Sequence, residues 1–438
     1  MKALQSCRAR LANAPLHARS GRLRGIRGLL LESDGPDARL GELCRIEAGG
    51  AEALLAEVVA VHDTRLSLLA YGSVQGLQVG ASVTAQGEDS GFPVGPGLLG
   101  RVVDAFGRPL DGGPALSRTT RCVLRGDPVN PMERPPVQQV LETGIRCIDA
   151  LFTLGRGQRI GLFAGSGVGK SSLLAAIARH AKADLSVIAL VGERSREVRG
   201  FVHDVLGPVA LQRSVVIAAS SDQPAPARVR AAHAAVAAAC HFASQGLHVL
   251  LMVDSMTRLA LARREIGLAA GEPPTARGFT PSVFAELPQL CERCGTFASG
   301  GTVTALLTVL VEGDDMNEPV ADSLRSVLDG HLVLSRELAH RGHHPAIDVL
   351  RSVSRLQRDL ADQHEAALVA RAVALFALLE RHRDPVELGI YQKGTHAALD
   401  AALALQPALE AWLRQPDGPV DRASALQALR AILDREPA

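Results

Sequence analysis

The sequence is poor in aromatic residues, with one Trp, two Tyr and ten Phe, 3% of 438 positions. Its cores must therefore be aliphatic, and a surface that reads nucleic acid by stacking bases on rings has little to draw on. An excess of either charge is also missing. Lys plus Arg is 47 and Asp plus Glu is 46, a formal net charge of +1, so no field announces nucleic acid or an anionic membrane as the main partner. No apolar run approaches the ~18 residues needed to span a bilayer. Basic residues spread from Lys2 to Arg27, with no clean apolar stretch behind them, make a poor signal peptide. A cytoplasmic protein is expected, with peripheral attachment to a membrane assembly left open. The seven cysteines are odd in number and scattered, which fits reduced thiols rather than a disulfide framework. Cys291 and Cys294 form one CxxC, but no second pair or His stands at zinc spacing. They read as two small apolar residues on neighbouring turns of a helix.

What is present is a globular composition, 47% hydrophobic and 21% charged, arranged in four stretches. Residues 1–20 are polar and basic. From 21 to about 90, short apolar segments such as Leu43-Cys-Arg-Ile and Leu66-Ser-Leu-Leu-Ala are cut by turn residues and predict a small β-barrel. Gly/Pro-rich connectors follow. From 91 to about 360, strands expected at Arg159–Ala164, Ser186–Val191, Ser214–Ala219, Leu247–Val253 and Thr302–Val311 alternate with helices, which is an α/β pattern with a parallel sheet covered on both faces. From 361 to 438 only helical periodicity remains, at Glu365–Arg381, His396–Leu413 and Asp421–Leu433.

The chemistry concentrates after the strand Arg159–Ala164. Gly165-Ser166-Gly167-Val168-Gly169-Lys170-Ser171-Ser172 matches G-x-x-x-x-G-K-[ST] in a form with Ala164 at the first glycine, and runs into a helix former. Glycines let the backbone wrap phosphate oxygens, and the helix N-terminus adds partial positive charge. Lys170 is placed to neutralise the β/γ-phosphates, and the Ser171 hydroxyl to ligate Mg²⁺. ATP and Mg²⁺ are the expected ligands. A second apolar strand ends in Asp254, the expected Walker B carboxylate at the sheet edge. Gly192-Glu193-Arg194 follows a third strand. Glu193 reads either as the carboxylate that activates water or as an acid favoured at a helix N-terminus, and spacing alone leaves both open.

Longer segments carry a resemblance. Gly97-Leu-Leu-Gly-Arg-Val-Val-Asp-Ala-Phe-Gly-Arg-Pro-Leu-Asp-Gly, Gly271-Glu-Pro-Pro-Thr-Ala-Arg-Gly-Phe-Thr-Pro and Val311-Glu-Gly-Asp-Asp-Met-Asn-Glu-Pro resemble the ATPases of type III secretion systems, flagellar and injectisome, which are related to F- and V-type rotary subunits. The resemblance implies a RecA-like core between the barrel and a C-terminal helical domain. It places Glu193 at the family's catalytic glutamate. Arg194 would stabilise that loop or the phosphates, and Arg258 matches an arginine near the phosphates. Arg355, in Pro345-Ala-Ile-Asp-Val-Leu-Arg-Ser-Val-Ser-Arg, matches an arginine finger acting on a neighbouring subunit's ATP, which implies a homohexamer. At the adenine pocket this chain has His344 where an aromatic is usual, and Tyr391 is a second candidate wall. The family's task implies further partners: a stator-like regulator at residues 1–20, export chaperone–substrate complexes at the C-terminal domain, and the membrane export apparatus, with no nucleic acid. Val349–Leu356 leans toward the injectisome branch. Two other readings are an ion-coupled ATP synthase-type subunit and a Rho-like RNA-dependent ATPase. The latter requires aromatics in the barrel, where residues 21–86 offer only Tyr71.

Overall fold

A computed structural model describes residues 18–47, 53–89, 91–126 and 130–435. Most of the segment expected to meet a regulator, residues 1–17, lies outside the described residues. The chain divides into two compact units.

The first unit is built on a closed six-stranded antiparallel barrel. In chain order its strands are Ser20–Arg27, Leu30–Asp34, Glu42–Ile46, Leu54–His62, Arg65–Ala70 and Ser82–Asp89; around the barrel the order is first, second, fifth, fourth, third, sixth. Strand alternation explains it: Leu66, Leu68 and Ala70 point inward while Arg65, Ser67 and Leu69 do not. The interior is aliphatic, with Leu23, Leu31, Ile46, Val58, Leu68 and Val83 all buried.

The second unit centres on a twisted sheet. Along its main path the strands run Val353–Ser354, Gly330–Leu334, Arg159–Ala164, Thr302–Leu310, His248–Asp254, Leu185–Val191, Ser214–Ala219 and Val102–Val103. All neighbours pair in parallel except the edge strand Val353–Ser354, which runs antiparallel to Gly330–Leu334. Every residue of Leu185–Val191, Ser214–Ala219 and His248–Asp254 is buried, as expected for central strands covered on both faces. The five strands expected from sequence form within one residue of their anticipated ends, whereas Gly330–Leu334 and the two-residue edges were not anticipated.

The C-terminal helices Gln363–Arg381, Ala397–Leu413 and Arg422–Leu433 do not form a core of their own. Leu409, Trp412, Leu429 and Ile432 bury against Ile145, Ile148 and Leu151 in the core that also holds Val168 and Leu173 of the phosphate loop and its helix. The first of these helices starts in a capping box, with Asp362 and Glu365 each accepting the other's backbone N–H. Cys291 lies near the end of the helix Pro281–Glu292, and Cys294 falls just beyond it rather than on a further helical turn. Both thiols are buried, and burial pushes Cys291 up to about 12. Among the described residues no group of three His, Cys, Asp or Glu is arranged to hold a metal, and no helix is long and apolar enough to cross a membrane.

Candidate active site

The strand Arg159–Ala164 enters a loop that turns on Gly167 and Gly169, with φ of +79° and +89°, values open to glycine at little cost. Val168 is buried in the core and pins the loop from below. Gly169 then caps the helix Lys170–His180, and its carbonyl accepts the N–H of Leu173 at 3.0 Å. Ser166, Gly167, Ser171 and Ser172 are exposed above this anchor. On the flank, a Cβ added to Gly165 would lie 2.8 Å from Arg336 Nη2 and 3.0 Å from Asp314 Oδ1. A cavity of about 170 Å³ opens there, lined among others by Gly165, Asp314, Arg336 and Arg351. The loop is thus a backbone cradle at a helix N-terminus that side chains would fill.

Two carboxylates face it. Asp254 ends the strand His248–Asp254, is 3% exposed, and forms an ion pair with the Lys170 ammonium. The Thr308 hydroxyl, fully buried on the intervening strand, lies 2.8 Å from Asp254 Oδ1. Glu193 follows the neighbouring strand, where Leu190 pairs with Asp254. It is 8% exposed, and Arg258 Nη1 reaches its Oε2 at 3.1 Å while also bonding the Gly192 carbonyl. Burial, a hydrogen bond shared with Glu197 and the nearby Asp254 charge push the Glu193 carboxyl up to about 7, against the pull of Lys170 and Arg258. A carboxyl poised there changes protonation near neutrality, which suits a general base.

The remaining expected residues separate into near and far. His344 is near: a Cβ on Gly169 would lie 3.6 Å from its Nδ1. Arg194 turns outward toward Glu197, at 3.8 Å, with most of its side chain exposed. Tyr391 hydrogen-bonds Asp400, in the first turn of the helix Ala397–Leu413, at 2.9 Å and the carbonyl of that helix's N-cap His396 at 3.3 Å. The residue that does meet His344 is Gln415, whose N–H donates to the His344 carbonyl at 2.9 Å. Arg355 is exposed, with its N–H on the Asp329 carbonyl at 2.9 Å and its guanidinium on the Arg325 carbonyl at 3.2 Å. Asp329 and Gly330 stand at the beginning of the strand whose end, Leu334, pairs with Ala164. Arg355 therefore sits at the opposite end of the sheet from its own phosphate loop, roughly 15 Å away at about 3.3 Å per residue.

Residues 144–354 match the profile of the ATP synthase alpha/beta family nucleotide-binding domain, residues 24–87 that family's beta-barrel domain, and residues 361–431 the T3SS EscN ATPase C-terminal domain. The flagellum-specific ATP synthase of Treponema pallidum is 50% identical over 399 residues, 90% of this chain and 88% of that one. The type 3 secretion system ATPase of Xanthomonas euvesicatoria is 42% identical over 429 residues, 97% and 96% of the two chains. The chain belongs to the type III secretion and flagellar export ATPase family. The assembled ATPase EscN of enteropathogenic E. coli, solved in complex with its central stalk EscO, superposes with a TM-score of 0.87 at 37% identity, over 94% of this chain and all of that one. This ATPase is thus related to export ATPases along its length, which sets aside the Rho-like and ion-coupled readings. Relatives of both branches, flagellar and injectisome, match along nearly the whole chain.

Sequence reasoning overlooked Thr308, Arg336 and Gln415. Thr308 hides inside an apolar strand and Gln415 in a polar loop, and neither lies in a motif. Thr308 is the third threonine of the strand Thr302–Leu310 and stands one position beyond the Leu307–Val253 pair, level with Asp254, a register that only the folded sheet sets.

Proposed function

We propose that this ATPase hydrolyses Mg-ATP at the subunit interfaces of a homohexameric ring and so drives type III protein export. The carrying observation is the convergence of the Gly165–Lys170 cradle, Asp254 and Glu193 at one end of the sheet while Arg355 stands at the other. The backbone N–H groups and Lys170 hold the phosphates. The exposed Ser171 hydroxyl and the Asp254 carboxylate are hard oxygen donors that fit Mg²⁺, which when bound would neutralise charge on the β- and γ-phosphates. Thr308 fixes the orientation of Asp254. Glu193, steadied by Arg258, orients the attacking water and accepts its proton. Arg355 is too far from its own nucleotide to serve it and completes the site of the adjoining subunit, where its planar fork meets phosphate oxygens. Arg194 secures the Glu193 loop through Glu197.

The same reading assigns a stator-like regulator to residues 1–20, chaperone–substrate complexes to the C-terminal helices, and a cytoplasmic station against the membrane export apparatus. A strain whose only copy carries Glu193→Gln tests it: the variant should bind ATP and secrete no export substrate. Normal secretion from that strain would overturn the proposal.

A further inference from the structure

Gln415 joins segments far apart in sequence. Its Oε1 accepts the Arg146 N–H at 2.8 Å, and its Nε2 donates to the carbonyls of Gly144 and Gly418, each at 2.9 Å. Its main-chain N–H donates to the His344 carbonyl at 2.9 Å. Both amide hydrogens and the backbone donor are therefore engaged, and the side chain has no freedom to turn without orphaning a partner. Two of these contacts lead to the phosphate-loop helix. His344 lies against Gly169 at its start, as described above. Gly144 is pinched at its end: a Cβ there would lie 2.6 Å from His180 Cβ and 3.1 Å from Pro419 Cβ. The loop around Gln415 thus touches the surroundings of both ends of Lys170–His180. Three residues earlier, Trp412 closes the helix Ala397–Leu413. It is 3% exposed, lies 5.8 Å from the Arg146 guanidinium, and its Nε1 meets the Ala425 carbonyl at 3.3 Å. Arg146 in turn bonds the carbonyls of Ala411 and Arg414.

We infer that Gln415 is a positioning residue that couples the C-terminal helices to the nucleotide site, so that phosphate-loop occupancy and the packing of Ala397–Leu413 report on one another. The inference rests on the nucleotide-binding reading above. A binding effect at one site implies the reciprocal effect at the other. A partner that seats on the C-terminal helices would therefore change nucleotide affinity through this residue, without touching the nucleotide.

Trp412 is the only tryptophan in the chain, so its emission reads the C-terminal side directly. Full-length protein is titrated with Mg-ADP and with a non-hydrolysable ATP analogue, following Trp412 emission, while a fluorescent nucleotide measures binding separately. The wild type should bind and change Trp412 emission with the same midpoint. Gln415→Ala should lose the emission change and bind at least about fivefold more weakly, the lower end of typical coupling. A purely structural role would lower the melting temperature yet leave the nucleotide-dependent response intact. Hydrogen exchange on the wild type provides a test independent of the variant's folding: nucleotide should raise protection across residues 408–420. Binding without any Trp412 or exchange response in the wild type, or a full response in Gln415→Ala, overturns the coupling alone. Absence of nucleotide binding by the wild type overturns the reading beneath it as well.

Discussion

Thr308 and Asp254 meet on adjacent parallel strands, hydroxyl to carboxylate, at 2.8 Å, on the oxygen that also faces Lys170. The contact is fully buried on the threonine side, so water cannot replace the hydroxyl when it is removed. Thr308→Val keeps the shape and deletes the bond. A hydrogen bond to a charged group contributes about 1.5–3 kcal/mol, and a bond retained in the transition state translates into a loss of roughly 10- to 100-fold in kcat. Steady-state ATPase assays on the folded variant, judged by circular dichroism and melting temperature, check this. Unaltered kcat would show that Asp254 is oriented without it.

Lys170→Ala and Glu193→Gln should both abolish turnover, but for different reasons. The first removes the cation of the cradle, so nucleotide affinity falls with the rate. The second leaves the cradle whole and retains ATP binding. Equilibrium binding of a fluorescent nucleotide alongside phosphate release separates the two. Retained hydrolysis in Glu193→Gln would eliminate the glutamate as base.

The Glu193 carboxyl is held up to about 7 chiefly by burial, and a base works only when deprotonated. The kcat/KM profile, which reports the free enzyme, should therefore fall as pH drops through about 7 and level off above it. Arg258 pulls this value down. Arg258→Gln removes a positive charge, so the acid limb should move to higher pH. A limb unmoved by that substitution would assign it to another group.

Arg355→Ala should lower the rate by about 10³–10⁵, as for other arginines that act in trans on a transferring phosphoryl group. Mixing provides the sharper measurement. Rings assembled from Arg355→Ala and Lys170→Ala protomers should regain part of the activity that either lacks, because one supplies the cradle and the other the arginine. Zero recovery from demonstrably mixed rings would place the arginine outside the site.

Arg422 grips Glu365 with two bonds, 2.6 and 2.7 Å long, with both side chains mostly buried. Glu365 also completes the cap of Gln363–Arg381. Arg422→Ala should cost about 1.5–3 kcal/mol in local stability, seen as faster hydrogen exchange over residues 363–381. Unchanged exchange there would mean that the apolar face alone holds the helix.

The parts legible in the sequence were those written in local pattern. The phosphate loop, its strand and its helix follow from glycine placement and apolar periodicity within twenty residues. Asp254 was legible because an apolar run ends on it. The strand Gly330–Leu334 carried too short an apolar run, and Val102–Val103 and Val353–Ser354 are two-residue strands that only their neighbours define. Tyr391 was expected as a second wall of the adenine pocket; the hydrogen bonds of its hydroxyl to Asp400 and the His396 carbonyl are partners the chain order does not reveal. Gln415 and Arg146 are 269 positions apart, and no pattern along the chain signals such a pairing. Spacing alone left Glu193 open between a base and an acid at a helix start; the resemblance favoured the base, and the fold adds the enclosure that spacing could not show.

The remoteness of Arg355 from its own cradle has a consequence for how the protein is stored in a cell. On the proposed trans role, a lone subunit would own every component except one it could only lend. Freshly made molecules would then hold nucleotide without wasting it, and consumption would rise steeply with crowding, as a power of protein concentration rather than in proportion to it. Fuel would be spent only where copies are gathered, so the place of assembly would become the switch.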